Sequence, residues 1–346
     1  MSTKSYFNKR YDSLIEFCKA FSTEKRCINF LERKRWADGV VSPYDETSKV
    51  YKRGDGLYRC KNTGKNFNVR IGTIFQESKV SLTKWFIAIY LLETRSKGIS
   101  SAQLAKDLNL TQKTAWYMLH KIRLCMEYKG EKFDGEVELD ETFVGGKNHN
   151  RHSKYKIRNA QGRSFKDKVP VMGLLQRDSN GGGDKVMCFQ INDTSWKPLT
   201  RNIITHVKRN VTLYMDDWQG YRVVNKVYKS SVVDHGHGIY VDGNTYTNTI
   251  EAFWSNYCKR PINSTYSSIS KHHMQKYFDE FAWRYNTRKV SFSERFDLFF
   301  TNIEHLVTHK ELIKGNGNRR KQTLKQVAEM QRAQRAAQQA AQDNAA

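Results

Sequence analysis

Three short segments of the chain carry carboxylates in positions that suit the binding of divalent cations. The first, GEVELDETFV at residues 135–144, alternates strictly, so a strand would put Glu136, Glu138 and Asp140 on one face. Neighbouring carboxylates repel each other unless lysine, arginine or a divalent cation neutralises them. The run therefore predicts a basic partner or a cation beside this strand.

The other two acidic segments place carboxylates at the ends of predicted elements. Asp216 and Asp217 follow the predicted strand 211–215, at the carboxyl edge where α/β sheets commonly place ligand groups. A helix N-cap is the alternative for either aspartate. Glu251 falls in the first turn of a predicted helix, where a lone glutamate usually complements the helix dipole. Each acid taken alone leaves a purely structural role open.

A basic segment follows the first acidic run. The pair Gly145-Gly146 lets the chain turn out of the strand, and residues 147–168 then contain eight Lys or Arg against one Asp. Such a segment can follow the phosphate backbone of DNA, and a solvated surface loop is the alternative. The predicted DNA contacts in this segment are Lys147, Arg151, Lys154, Lys156 and Arg158.

The overall charge favours a polyanionic partner. The 346 residues include 59 Lys and Arg against 35 Asp and Glu, for a formal net charge of +24, which favours nucleic acid over small neutral substrates. A ribosomal or membrane-surface protein can be equally basic. The sequence contains no apolar run of about 18 residues and no signal-peptide pattern at its start. We therefore expect an intracellular protein without a membrane partner, cytoplasmic or nucleoid-associated, or nuclear in a eukaryote.

The first 130 residues predict two small units. One or two short helices to about Leu31 and a small sheet between Trp36 and Phe75 form the first unit, 1–80. Helices at 81–96, 100–110 and 111–129 form the second, 81–130, with Ser100 and Thr111 as N-caps. This is the outline of a helix-turn-helix, and an ordinary three-helix packing unit is the alternative. The last helix would present Gln112, Lys113, Thr114, Tyr117 and Lys121 to DNA.

The segment 131–300 predicts a mixed α/β domain. Its order is three strands, a helix at 195–209, a strand, a helix at 218–228, a strand and a final helix. The residues 301–346 become rich in Ala, Gln and Arg and predict a helical tail that fades into disorder.

Local sequence words add a specific resemblance. VELDETFVGGK, YMDDWQGY, VVDHGHGIYV, NTIEAFWSNYCKR and HHMQKYFDEFAWRYNTR resemble the insertion-sequence transposases related to the Merlin superfamily, from about Arg33 to Arg288. The resemblance implies a ribonuclease-H-like fold, with Asp140, Asp216 and Glu251 as catalytic, metal-binding acids and His235 as a further catalytic residue. It also implies two Mg²⁺ or Mn²⁺ ions, whose role is in-line displacement at phosphorus.

The same resemblance implies partners. Double-stranded DNA would be bound at the element ends and at the target, by a homodimer or larger synaptic complex. Lys259 and Arg260, at the end of the Glu251 helix, suit phosphate contact or the helix dipole.

The sequence departs from this family at its zinc ribbon. Relatives carry C-P-x-C followed by C-x-x-C, whereas this chain has SPYD at 42–45 and CKNT at 60–63. The single remaining thiolate is too few for structural zinc, so no zinc is expected. The six cysteines are otherwise far apart and predict no disulfide framework.

Two other functions remain open on the sequence. The chain can be a catalytically idle DNA-binding regulator derived from a transposase, which the missing cysteines support and the three acids oppose. It can also be a structure-specific nuclease on the same fold, which would not need a sequence-reading helix-turn-helix.

Overall fold

The structure is a computed structural model that divides into two compact units, Met1–Leu306 and Val307–Ala346. It describes residues 13–146, 152–157, 168–178, 183–233, 246–305, 307–308 and 311–312. The fold below is that of the first unit, and the predicted tail beyond residue 312 lies outside the described residues. Within the described residues, no helix combines the length and the apolar character needed to cross a membrane.

The N-terminal part of this unit contains the predicted helices and small sheet. Three short strands form an antiparallel sheet in the order β1-β2-β3. In the chain, two helices precede this sheet and three helices follow it. The elements are α1 (Leu14–Ala20), α2 (Glu24–Arg35), β1 (Val50–Lys52), β2 (Tyr58–Cys60), β3 (Asn66–Phe67), α3 (Leu82–Thr94), α4 (Ser101–Leu108) and α5 (Gln112–Leu124).

The predicted helical hairpin is confirmed by its caps and turn. The Ser100 hydroxyl accepts the Gln103 N–H at 3.2 Å, and the Thr111 hydroxyl accepts the Thr114 N–H at 3.2 Å. Between them Asn109 ends α4 in the left-handed conformation, with φ of 49°, which asparagine tolerates better than most residues. The apolar positions predicted to share one core are all buried: Leu104, Ala105, Leu108, Ala115, Met118, Leu119 and Ile122.

The second part of the unit is a mixed α/β structure, as predicted. Its five-stranded sheet has the order β6-β5-β4-β7-β8, in which β4–β5 and β5–β6 are antiparallel and β4–β7 and β7–β8 are parallel. The elements are β4 (Glu136–Val144), β5 (Val169–Gln176), β6 (Lys185–Gln190), α6 (Trp196–His206), β7 (Thr212–Asp216), β8 (Lys229–Val233), α7 (Asn248–Phe253), α8 (Met274–Asn286) and α9 (Phe292–Phe299).

The prediction of a helix at residues 218–228 is wrong. The chain there forms two single 3₁₀ turns, Gln219–Tyr221 and Val224–Lys226. A Cβ at Gly220 would lie 2.7 Å from the carbonyl oxygen of Thr194, so the backbone approaches its neighbour too closely for a regular helix with side chains. Glycine and β-branched valine also have low helix propensity, which removes the local drive towards a longer helix.

Both faces of the sheet are covered. On one face Val137 and Leu139 belong to the apolar cluster that contains α6, together with Leu199 and Ile203. On the other face the apolar stripe of α7 and the residues of α8 pack against β5 and β6. The alternation predicted for residues 135–144 therefore gives the two faces of β4 correctly, and its acidic face is turned towards α7.

The helix α8 also satisfies the edge strand β6. Asn286 accepts the Val186 N–H at 2.7 Å and donates to the Val186 carbonyl at 2.9 Å. Gln275 accepts the Gln190 N–H at 2.8 Å and donates to the Cys188 carbonyl at 2.7 Å. Two side-chain amides thus take the place of a neighbouring strand, which protects this edge from pairing with another chain.

The helix α9 packs with the N-terminal helices through aromatic rings. The Phe296 ring lies 5.1 Å from Phe17 and 5.7 Å from Phe86, and Phe300 lies 5.0 Å from Phe30. The two ends of this unit thus share one apolar cluster. The boundaries predicted at residues 80, 130 and 300 stay predictions.

A buried carboxyl in α3 makes stability depend on pH. Glu93 is only 3% exposed, and burial raises its pKa to about 8 against the opposing charges of Arg295 and Arg284. Because the folded pKa lies above the ordinary value of 4.5, the contribution of Glu93 to stability is complete below that value and is lost as pH rises towards about 8.

We expect Glu93→Gln to remove this loss. Its gain in unfolding free energy at pH 8.5 should reach up to about 5 kcal/mol, with little gain at pH 5. Urea unfolding of the parent and the variant at both pH values measures this effect. Equal stability differences at the two pH values would show that Glu93 is not the group responsible.

Cys60 is the one cysteine at the four positions compared with the zinc ribbon of the resembling family, and it takes part in hydrogen bonds. Cys60 is fully buried; burial alone would raise the pKa of its thiol, but hydrogen bonds with Ser42, Ser48 and Thr63 lower it to about 6. Asp45 accepts hydrogen bonds within the same module.

We expect the purified protein to contain little zinc and to melt at the same temperature with and without EDTA. One zinc per chain, with a lower melting temperature after chelation, would contradict this prediction.

Candidate active site

The site lies where β7 ends beside the middle of the parallel strand β4. The register pairs Glu138 of β4 with Tyr214 of β7, and its continuation by two residues brings Asp140 next to Asp216. Adjacent strands lie about 4.8 Å apart. The first two predicted acids therefore occupy neighbouring positions on the sheet.

The third acid reaches this point from α7, whose start is fixed on β4. The backbone N–H of Ile250 donates to Glu138 Oε2 at 2.9 Å, and Glu138 is fully buried. A carboxylate in contact with the first turn is favoured by the exposed N–H groups and the dipole of the helix. This contact positions the next residue, Glu251, above the acidic face of β4.

All three acids line one cavity of about 430 Å³. The cavity lies between β4, the end of β7 and the helical segment that starts at α7. Its lining residues are Leu139, Asp140, Glu141, Thr142, Asp216, Thr247, Glu251, Trp254, Ser255 and Lys259. The structure therefore brings together Asp140, Asp216 and Glu251, the three acids that the sequence analysis selected.

The titration of Asp140 depends on its surroundings in the cavity. Burial, together with the charges of Asp216 and Glu251, raises the pKa of Asp140 to about 7, although hydrogen bonds from the Glu141 N–H and Trp254 oppose the rise. Mutual repulsion of this kind is relieved when a cation binds between carboxylates. The site thus carries an excess of negative charge in a partly buried cavity.

The other acids on this face of β4 have a basic partner, and the sequence analysis did not identify which residue it is. Arg177 donates to Glu138 Oε1 at 2.8 Å and to Glu136 Oε2 at 3.2 Å. Its guanidinium also stacks between Tyr214 and Tyr246, at 3.9 Å and 3.7 Å from the ring centroids. Arg177 follows β5 directly, but only the pairing of β4 with β5 identifies it as the neutralising group.

A fourth carboxylate of the cavity is held by a tyrosine. The buried Tyr221 hydroxyl donates to Glu141 Oε1. Burial raises the pKa of Tyr221 well above its ordinary value, as does the charge of Glu141. Tyr221 is therefore a neutral hydrogen-bond donor that fixes Glu141 beside the three acids.

The donor set suits a hard divalent cation, although the described residues do not form a closed ligand shell. Within them, no group of three or more His, Cys, Asp or Glu side chains is already close enough to enclose a metal ion. Carboxylate oxygens at an accessible cavity are nevertheless the ligands that Mg²⁺ and Mn²⁺ prefer, and Mg²⁺ keeps several waters and is completed by phosphate oxygens. The chemistry of Asp140, Asp216 and Glu251 thus fits such an ion.

The start of α5 is accessible, but its second half is not. Gln112 and Lys113 are exposed, and Thr114 and Tyr117 are partly exposed. Lys121, by contrast, is 3% exposed and donates to the Ile74 carbonyl at 2.9 Å. The prediction that Lys121 contacts DNA is therefore wrong, because its ammonium holds α5 against the N-terminal module.

The remaining predicted DNA contacts fall into two groups. Lys154, Lys156, Lys259 and Arg260 are exposed, and Lys259 lines the cavity. The other four predicted site residues lie outside the described residues: Lys147, Arg151, Arg158 and His235.

Two comparisons bear on the origin of the chain. Residues 132–286, which include all three acids, match the family model of the ISXO2-like transposase domain. The chain is also 27% identical over 278 residues to an uncharacterized protein in transposable element ISH50 of Halobacterium salinarum, an alignment that covers 77% of this chain and 92% of that protein. Residues 132–286 are thus similar to a transposase domain, and most of the chain is similar to a protein of a transposable element.

Proposed function

We propose that the chain is a DDE transposase with a ribonuclease-H-like catalytic domain, related to the Merlin-type insertion-sequence enzymes, which cleaves DNA at the terminal inverted repeats of its element and joins the ends to a target. One observation carries the proposal: carboxylates from β4, β7 and α7 line the same cavity. A basic chain with a net charge of +24 supports a DNA substrate.

Asp140, Asp216 and Glu251 would hold two Mg²⁺ or Mn²⁺ ions in this mechanism. When bound, such ions activate the attacking oxygen and neutralise charge on the phosphate and the leaving 3′-oxygen. Lys259 lies at the same cavity and would attract the phosphate group towards the acids. His235 remains a proposed catalytic residue of the segment that precedes α7.

The protein would hold its DNA at several places. The exposed start of α5, with Gln112 and Lys113, would contact a groove of the element end as the second helix of a helix-turn-helix. Lys154, Lys156 and Arg260 would contact phosphates. Joining two ends requires both in one assembly, so we infer a homodimer or larger synaptic complex, acting inside the cell where the DNA is.

Two other functions share most of these features. A DNA-binding regulator would not need three acids that line one cavity, and their presence favours an enzyme. A structure-specific nuclease would keep the acids but would cut branched DNA without regard to end sequence.

A cleavage assay separates the three functions. The protein is incubated with Mn²⁺ and two labelled substrates of equal length, a duplex with the element end and a flapped duplex of unrelated sequence. A transposase cuts at the element end and, given target DNA, joins the 3′ end to it. Binding of the end duplex without cleavage would indicate the regulator, and preferential cutting of the flap would indicate the nuclease.

A further inference from the structure

A glycine lies directly opposite Asp140 on the neighbouring strand. Gly173 of β5 is the register partner of Asp140, and it does not adopt a positive φ. Its backbone conformation is therefore open to any residue, and glycine within a strand usually weakens it. The absence of a side chain at this position needs another reason.

The space that a side chain would occupy at Gly173 is filled by Trp254. A Cβ on Gly173 would lie 2.4 Å from Cζ2 of the indole and 2.8 Å from Cδ1 of Ile250, which is closer than atoms can approach. Trp254 is 2% exposed, and its ring packs against Phe253 and Phe278 at centroid distances of 5.1 Å and 6.1 Å. Gly173 thus makes the gap in the sheet that seats this ring.

The seated indole donates a hydrogen bond to a proposed metal ligand. Trp254 Nε1 lies 2.9 Å from Asp140 Oδ2, while Asp140 Oδ1 accepts the N–H of Glu141 at 2.8 Å. Each oxygen of Asp140 thus accepts one bond from the protein and keeps a further lone pair for the cavity. These two bonds fix the orientation of the carboxylate.

The backbone changes its winding at the same residue. Helix α7 ends at Phe253, and a π-helical stretch, Trp254–Lys259, starts at Trp254. Single π-helical turns are frequent at functional sites because they shift side chains from the regular helical spacing. Here the change of winding lies between Glu251 and the later lining residues Ser255 and Lys259, so it alters the spacing of side chains that line the same cavity.

The acids Glu136, Glu138 and Asp140, which share one face of β4, have different kinds of partner. Glu136 and Glu138 bind the guanidinium of Arg177, whose positive charge neutralises them. Asp140 instead accepts a hydrogen bond from a neutral indole, which orients the carboxylate without supplying a charge that would compete with a cation.

We infer that Trp254, seated by Gly173, is a positioning residue that holds Asp140 ready to bind a divalent cation. The inference rests on the proposed function. Partners that orient a metal ligand typically contribute about 10–100-fold to metal affinity. The effect of losing the indole N–H should therefore appear in metal binding, separately from the stability of the fold.

The first test is the affinity of the full chain for Mn²⁺, measured by titration calorimetry or by the electron paramagnetic resonance signal of free Mn²⁺. Trp254→Phe keeps a ring but loses the N–H, and we expect it to bind Mn²⁺ about 10-fold or more weakly while still binding DNA in EDTA. The matched control is Trp85→Phe. This change also removes an indole hydrogen bond, the one from Trp85 Nε1 to Ser78 Oγ at 2.9 Å, but Trp85 does not line the cavity. The Mn²⁺ affinity of this variant should equal that of the parent.

A second variant acts from the opposite strand. Gly173→Ala should displace the indole and weaken Mn²⁺ binding in the parent, but it should add little in the Trp254→Phe background, because both changes break the same contact. Gly54→Ala serves as its control, since a Cβ at Gly54 meets no atom within 4 Å. If Trp254→Phe does not fold, the comparison of Gly173→Ala with Gly54→Ala still tests whether the seated indole contributes to Mn²⁺ affinity.

The outcomes distinguish the inference from the proposed function. A parent protein that binds Mn²⁺ together with Trp254→Phe and Gly173→Ala variants of unchanged affinity would overturn the inference alone. Fully additive losses in the double variant would also overturn it. A parent protein that binds no Mn²⁺ would contradict the proposed function and the inference with it.

Discussion

Asp216→Asn is expected to abolish cleavage of element-end DNA and to leave DNA binding unchanged. The amide has the shape of the carboxylate but lacks its charge, so it would no longer hold a cation with Asp140 and Glu251. Because a bound metal ion contributes several kcal/mol to the stabilisation of the transition state, the rate should fall by at least ~10³-fold. Asp140→Asn and Glu251→Gln should have effects of similar size.

The neighbouring residue supplies the control for this prediction. Asp217 is exposed and does not line the cavity, so Asp217→Asn should cleave at nearly the rate of the parent. Single-turnover cleavage with saturating Mn²⁺ and a gel-shift assay in EDTA measure the two properties separately. Equal losses for Asp216→Asn and Asp217→Asn would mean that charge near the strand end matters, and not the three acids at the cavity.

Glu280→Ala is expected to be the most destabilising single substitution in the contact between α5 and α8. Glu280 is fully buried and accepts bonds from Arg123 Nε at 2.7 Å, Arg284 Nη2 at 2.8 Å and the hydroxyl of Tyr266 at 2.5 Å. Its removal leaves two buried guanidinium groups without their carboxylate. Breaking a buried ion pair in this way costs about 3–5 kcal/mol.

The measurement is urea unfolding at neutral pH. Asp134→Ala is the matched control, since Asp134 pairs with Lys208 at 2.8 Å on the surface, with both side chains about half exposed. Exposed pairs contribute little, and the control should unfold at the midpoint of the parent. A midpoint for Glu280→Ala as close to the parent as that of the control would show that this buried network is dispensable.

The buried network also connects α5 with α8 and α3. Arg123 belongs to α5, whose first turn is the proposed DNA contact, and Glu280 belongs to α8, which covers the sheet that carries the acids. Arg284 further bonds the Leu92 carbonyl of α3 at 2.6 Å. Helix α5 and helix α8, which packs on the sheet, are therefore joined by buried charged hydrogen bonds, which require defined geometry, as well as by apolar contacts.

Local patterns were sufficient for the parts of the fold that depend on neighbours in sequence. The alternation in residues 136–144 gave the two faces of β4, because a strand has a side-chain period of two wherever it lies. The caps Ser100 and Thr111 were predictable for the same reason, since each bonds an N–H three residues away. The three acids could be selected, and the parallel pairing of β4 with β7 and the contact of α7 with Glu138 explain why they meet.

Contacts between distant segments were not predictable from such patterns. Arg177 lies 39 residues from Glu138, Lys121 lies 47 residues from the Ile74 carbonyl, and Trp254 lies 114 residues from Asp140. Lysine is usually exposed, and only the packing of α5 shows that Lys121 is buried.

The most direct test of the account is a crystal structure of the full chain with Mn²⁺ and a duplex of the element end, recorded where manganese scatters anomalously. We expect one or two anomalous peaks within coordination distance of Asp140, Asp216 and Glu251, next to a phosphate of the DNA. Manganese bound only elsewhere, with these three side chains making no contact to it, would contradict the proposed active site.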